Sequence, residues 1–141
     1  DSLLHNPFYI KYANNTEHLY IIDKINNEER NLYRYSTITD STELFCQDKY
    51  INRVQIDPKD NSIWISIDNP ENSVLMQLST EGIRLNEITG FSGISDFQIS
   101  AESNTIIVAD DVERVVKHIR SNSSVVGIFE DAFYPSKVFI E

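Results

Sequence analysis

Four residues of complementary chemistry, Tyr9, Arg53, Asp96 and Lys137, stand 44, 43 and 41 residues apart along the chain. Brought together, an aromatic hydroxyl, two cations and one carboxylate would bind a protein or a small polar ligand through hydrogen bonds, ion pairs and ring contacts. Tyr50, Phe91, Phe133 and Tyr134 lie near them in sequence and would supply contact area. The plainer alternative makes Arg53, Asp96 and Lys137 salt-bridged loop ends and the aromatics caps on a core.

A second set has nearly the same spacing: Asp23, Asp68 and Asp110, with Asp111 and Glu113 adding charge near the last. Clustered carboxylates hold hard cations through oxygen, and Asp57, Asp60 and Asn61 invite the same calcium reading. An Asp that ends a strand also accepts backbone N–H bonds from the following turn, and recurrence in every copy is what that structural role predicts. The expectation is therefore structural carboxylates and no metal. The sequence has no Gly-rich phosphate loop, no His-Glu-x-x-His, no nucleophile elbow and no Cys-His pair at a working spacing. His5, His18 and His118 fall at non-equivalent places, so no catalytic residue and no cofactor are expected.

Composition narrows the partners. The net charge of -10, from 22 acidic and 12 basic residues, is spread along all 141 residues. A phosphate backbone needs a concentrated Lys/Arg surface, so nucleic acid is excluded as a partner, and anionic lipid is disfavoured. No window holds the roughly 18 to 20 apolar residues of a membrane span. Cys46 is the only cysteine, which rules out an internal disulfide and a Cys-based zinc site; beside Leu44 and Phe45 it reads as a buried small hydrophobe. The chain opens at Asp1 without a signal-peptide pattern, which fits a processed exported protein or a trimmed chain, and export, periplasmic or extracellular, is the expectation favoured.

The elements that must position these residues come from a repeat. Asp57-Pro-Lys-Asp-Asn-Ser-Ile-Trp-Ile65 has a counterpart 43 residues on in Ser100-Ala-Glu-Ser-Asn-Thr-Ile-Ile-Val108. Extended both ways, the register gives three copies of four short strands. First strands are 9–12, 54–56 and 97–99. Second strands begin at Leu19, Ile63 and Ile106, third strands are 32–35, 74–78 and 115–119, and fourth strands are 43–46, 83–88 and 124–129. In the first copy 24–31 reads as a lengthened middle loop. Trp64, matched to Tyr20 and Ile107, reads as core.

Four antiparallel strands at this period make one blade of a β-propeller. The expected fold is all-β: a single domain over 1–141, with blades at about 7–50, 51–93 and 94–134 and the first strand of a fourth at 135–141. The first strand of each blade lines a central channel, which puts Tyr9, Arg53, Asp96 and Lys137 at its mouth.

At Asn61-Ser-Ile-Trp-Ile65 and Asn104-Thr-Ile-Ile-Val-Ala-Asp110, followed by Arg114-Val115 and Gly90-Phe91 or Pro7 and Pro135 at the blade junctions, the sequence resembles the NHL-repeat propellers. Ile94 replaces the proline of that pattern. The resemblance implies a six-bladed ring, and a role among protein-binding platforms, RNA-binding surfaces, sensor ectodomains or occasional hydrolases. A non-enzymatic binding or scaffold module leads. A lactonase-type hydrolase using a carboxylate-held metal and a sensor ectodomain fragment are the alternatives. Three blades leave faces open, so self-association or the remainder of a longer propeller is expected.

Overall fold

A computed structural model describes residues 4–14, 16–102, 104–120, 125–129, 135, 137 and 138, and every regular element among them is a β-strand. The first sheet holds β1 (Pro7–Tyr12), β2 (His18–Asn26), β3 (Glu29–Ser36) and β4 (Ser41–Gln47). The second holds β5 (Ile51–Ile56), β6 (Ile63–Ile67), β7 (Ser73–Leu78) and β8 (Arg84–Phe91). The third holds β9 (Asp96–Ser100), β10 (Thr105–Asp110), β11 (Val115–Arg120) and β12 (Val125–Phe129). Within each sheet the strands pair in chain order, all antiparallel. This is a partial β-propeller of four-stranded blades.

The strands form where β-branched and aromatic residues run between polar turns. β6, Ile-Trp-Ile-Ser-Ile, is buried on both faces because a blade lies on each side of it. Before β6 and β10 the chain turns on Asn61 and Asn104, whose φ values are 60° and 59°. Asn occupies this left-handed region more readily than a branched residue does, which explains its place in the repeat. The neighbouring carboxylates are turn acceptors: Asp57 Oδ1 takes the N–H of Lys59 at 2.9 Å and Asp60 Oδ1 that of Ser62 at 2.8 Å.

The region 24–31 is not a lengthened loop. Lys24 pairs with Arg30 and Asn26 with Glu29, so the extra residues extend β2 and β3 into a longer hairpin. The sequence reading missed this because Asn26, Asn27 and Glu28 are turn-forming types; only Asn27 and Glu28 are needed for the turn.

Two apolar layers join the blades. Tyr20, Ile22 and Leu32 of the first meet Val54, Ile63 and Ile65 of the second. Trp64, Leu75 and Ile88 of the second meet Phe97, Ile106 and Val108 of the third. Burial of each such side chain contributes roughly 1.5–3 kcal/mol, so blade stacking is the main source of cohesion. Trp64 is fully buried, as the core reading expected. Cys46 packs on the first layer, half-buried, and burial followed by the charge of Asp48 raises its thiol pKa.

One matched position behaves differently in the first blade. Ile10, Val54 and Phe97 each stand opposite the equivalent residue of the second strand, Ile21, Ile65 and Val108. Val54 and Phe97 are fully buried by the preceding blade, whereas Ile10 is 62% exposed.

Candidate functional site

The inner strands β1, β5 and β9 lie side by side, and their registers coincide: Tyr9 stands opposite Ile22, Arg53 opposite Ser66 and Asp96 opposite Ala109. Each residue of this column reaches toward the next blade. The Tyr9 hydroxyl donates to the carbonyl of Val54 at 3.1 Å, and the Arg53 guanidinium stacks 5.2 Å from the Tyr9 ring centre. Arg53 Nε lies 3.8 Å from Asp96 Oδ1, and Asp96 Oδ2 accepts the N–H of Val138 at 2.8 Å. Burial, and next the Asp96 carboxylate, push the Tyr9 phenol above its ordinary pKa.

Tyr9, Arg53, Asp96 and Lys137 line one open groove of about 440 Å³. Alternation along a strand brings Lys11, Gln55 and Gln98, two residues beyond the column, into the same wall. Gln55 is fixed by donating from Nε2 to the carbonyl of Phe97 at 3.0 Å, and Arg53 by donating to the carbonyl of Asn52 at 2.8 Å. A second cavity of about 260 Å³ shares Lys11, Gln55 and Gln98 and reaches the turns at Asn14 and Asn61, continuing the lining along the inner strands. These three polar residues escaped the sequence reading, although an i+2 step from Tyr9, Arg53 and Asp96 points to each.

The aromatics distribute otherwise. Tyr50 packs on the first apolar layer and Phe91 is buried in the second, so both serve the core. Phe133 and Tyr134 lie outside the described residues, as do 136 and 139–141 of the expected fourth-blade strand. Phe8 and Tyr9 supply the groove's aromatic surface.

The recurrent aspartates are not three equivalents. Asp23 and Asp110 share one register position, opposite Asn31 and Val115 of their third strands; the second blade has Ile67 there, opposite Val74, and Asp68 lies one residue further. Asp23 accepts the N–H groups of His5 at 2.9 Å and Asn6 at 2.6 Å. Asp110 accepts those of Ser92, Gly93 and Glu113 at 3.0–3.1 Å and pairs with Lys117 Nζ at 3.2 Å. Asp68 reaches across to the third blade, taking the N–H of Ile94 at 2.9 Å, and also holds Ser73 Oγ. These carboxylates clasp backbone where blades begin, and no group of three or more His, Cys, Asp or Glu converges on a cation-sized space among the described residues.

No family model matches the chain, and no curated protein matches it. Solved structures do. A candidate 6-phosphogluconolactonase from Bacteroides fragilis aligns over 92% of this chain and 40% of its own, with a TM-score of 0.66 and 11% identity. A protein of unknown function from Desulfotomaculum acetoxidans aligns over 89% and 43%, at 0.68 and 11%. Hydrazine synthase of Kuenenia stuttgartiensis aligns over 96% and 39%, at 0.69 and 14%. At such identities the likeness shows the fold alone. The chain spans about two fifths of the length of these structures.

Proposed function

We propose that the chain is a non-enzymatic binding module whose inner-strand groove takes a small polar ligand bearing an acidic group. The observation that carries this reading is the charge of the wall. Among the described residues, Lys11, Arg53 and Lys137 line the groove against the single carboxylate Asp96, in a chain whose net charge is -10. A positive cleft in an acidic protein concentrates anions, and Gln55 and Gln98 add neutral hydrogen-bonding groups that fix orientation. The NHL-type, six-bladed assignment belongs to the same reading, supported by the Asn-opened strands at Asn61 and Asn104.

Isothermal titration with a panel of small sugar phosphates and hydroxy acids tests it. Arg53→Ala and Lys137→Ala should each weaken the best ligand at least tenfold while leaving the far-ultraviolet spectrum unchanged. Unchanged affinity in both would refute the groove as the site.

A second reading, a lactone hydrolase, is favoured by the likeness to candidate 6-phosphogluconolactonases. Against it stands the groove itself: the one carboxylate among its described residues, Asp96, already accepts the Val138 N–H through Oδ2. Metal-assisted hydrolysis draws on several oxygen ligands around an open position. Acid release from a phosphorylated lactone, followed in a pH-stat and abolished by Asp96→Asn, would favour the hydrolase instead.

A further inference from the structure

The column of Tyr9, Arg53 and Asp96 is the first of two rungs that the inner strands lay across the groove. Lys11, Gln55 and Gln98 form the second, sharing one register position opposite Tyr20, Trp64 and Ile107. The rungs differ in chemistry. The first carries both signs of charge beside an aromatic hydroxyl, while the second holds two neutral amides and one ammonium. Past the second rung lies the cavity of about 260 Å³, which Asn14 and Asn61 line with two more amides and which no carboxylate lines among the described residues. Tyr12, Ile56 and Ile99, again matched in register, give that cavity an apolar strip. Gln55 is pinned to the Phe97 carbonyl, whereas Lys11, Asn14 and Gln98 have no hydrogen-bond partner among the described residues. Those three side chains are open to a ligand.

We infer that the ligand is a polyhydroxylated acid of about six carbons bound end-on, its acidic group at Arg53 and Lys137, its hydroxyls at Gln55 and Gln98, and its far end toward Asn14. This rests on the anion-binding reading of the groove and extends it to the body of the ligand. An amide donates and accepts hydrogen bonds, as a hydroxyl does, so a succession of amides pairs with a succession of hydroxyls and needs no charge. The apolar strip suits the C–H groups that lie between those hydroxyls. Length follows from strand geometry. Two residues along an inner strand advance about 6.6–6.8 Å, so a three-carbon acid held at the first rung stops short of the second, and a six-carbon acid reaches it. Lys11 lines both cavities, which keeps the passage between them favourable to a chain that enters with its negative end behind it.

Nuclear magnetic resonance titration of the nitrogen-15-labelled chain with galactonate, glycerate and hexanoate reads the outcome directly. Galactonate should bind at least tenfold tighter than the other two, and it alone should shift the side-chain amide signals of Gln98 and Asn14. Galactose 6-phosphate, titrated beside it, tells a phosphate head from a carboxylate by which of the two binds tighter. In Gln98→Ala the preference for galactonate over glycerate should fall below about threefold, whereas Arg53→Ala should weaken both acids and keep the preference. Backbone signals check that each variant folds, and should Gln98→Ala unfold, the Gln98 and Asn14 amide shifts of the wild type decide. Equal affinities for galactonate and glycerate, both lowered by Arg53→Ala, would leave the anion site standing and overturn the extended ligand. So would hexanoate binding as tightly as galactonate. Affinities that neither Arg53→Ala nor Lys137→Ala changes would overturn the groove reading itself, and this inference with it.

Discussion

Arg53 and Asp96 occupy the same register position on adjacent inner strands, with Arg53 Nε 3.8 Å from Asp96 Oδ1, and the two sides of this contact are unequally committed. Asp96 is nearly buried and also holds the backbone of Val138, whereas Arg53 keeps 29% of its side chain in solvent. Removing Asp96 strands a buried N–H, and removing Arg53 does not. Asp96→Ala should cost about 2–3 kcal/mol of unfolding free energy and Arg53→Ala less than about 1 kcal/mol, measured by urea titration.

The aspartate pair in register should outrank the displaced one. Asp110 satisfies three backbone N–H groups and a buried Lys117. Its replacement by Ala leaves three unsatisfied donors, while Lys117 keeps Glu113 at 2.7 Å and the Gly90 carbonyl at 2.9 Å, so a loss of roughly 3–5 kcal/mol is expected from the donors. Asp68→Ala, which frees one N–H and one hydroxyl, should cost about half as much. Equal losses in parallel melts would contradict the register assignment.

Asn61 separates backbone need from side-chain bonding. Its φ is 60°, and its buried Oδ1 has no partner among the described residues. Asn61→Gly should therefore be nearly neutral, while Asn61→Ala should lose about 1–2 kcal/mol through the left-handed backbone alone. Differential calorimetry of the two variants distinguishes them.

Alkaline pH should weaken the stack at its inner edge. The Tyr9 pKa is raised in the folded chain, first by burial and then by Asp96. The folded state thus holds this proton more tightly than the unfolded chain. The associated stability is complete below the unfolded phenol value of about 10 and is lost as pH rises through the higher folded value. Urea midpoints between neutral and strongly alkaline pH should fall at the top of the range, and Tyr9→Phe should make that fall shallower. Tyr20, whose pKa burial also raises, leaves a residual slope in the variant.

The blades are legible in the sequence because the repeat is written twice over in local chemistry. Asn61-Ser-Ile-Trp-Ile and Asn104-Thr-Ile-Ile-Val each join a left-handed turn residue to a strand that a neighbour must cover on both sides. The inner-strand column follows from the same register, and it brings Tyr9, Arg53, Asp96 and Lys137 to one groove. What escapes is decided by which way side chains point. Lys11, Gln55 and Gln98 look like ordinary solvent-facing strand residues until three blades converge. Phe91 and Tyr50 sit beside the column in sequence, but their rings turn into the apolar layers. The one-residue displacement of Asp68 is hidden because Ile67 and Asp68 together imitate the strand ending of the other blades; only the pairing of Ile51 with Ile67 reveals it.

The column at the inner strands also has an evolutionary reading. Each blade contributes one side chain to it, and each is anchored on backbone, where sequence identity matters little: Tyr9 and Asp96 on Val54 and Val138 further along the chain, Arg53 on Asn52 of its own blade. A single codon change in one copy can thus recode the groove from cationic to acidic or aromatic without disturbing the apolar layers. Duplication of a blade inserts another such letter. Ligand preference in a chain built this way diverges faster than its architecture, and two descendants of one ancestor can keep the same stack while recognising unrelated molecules.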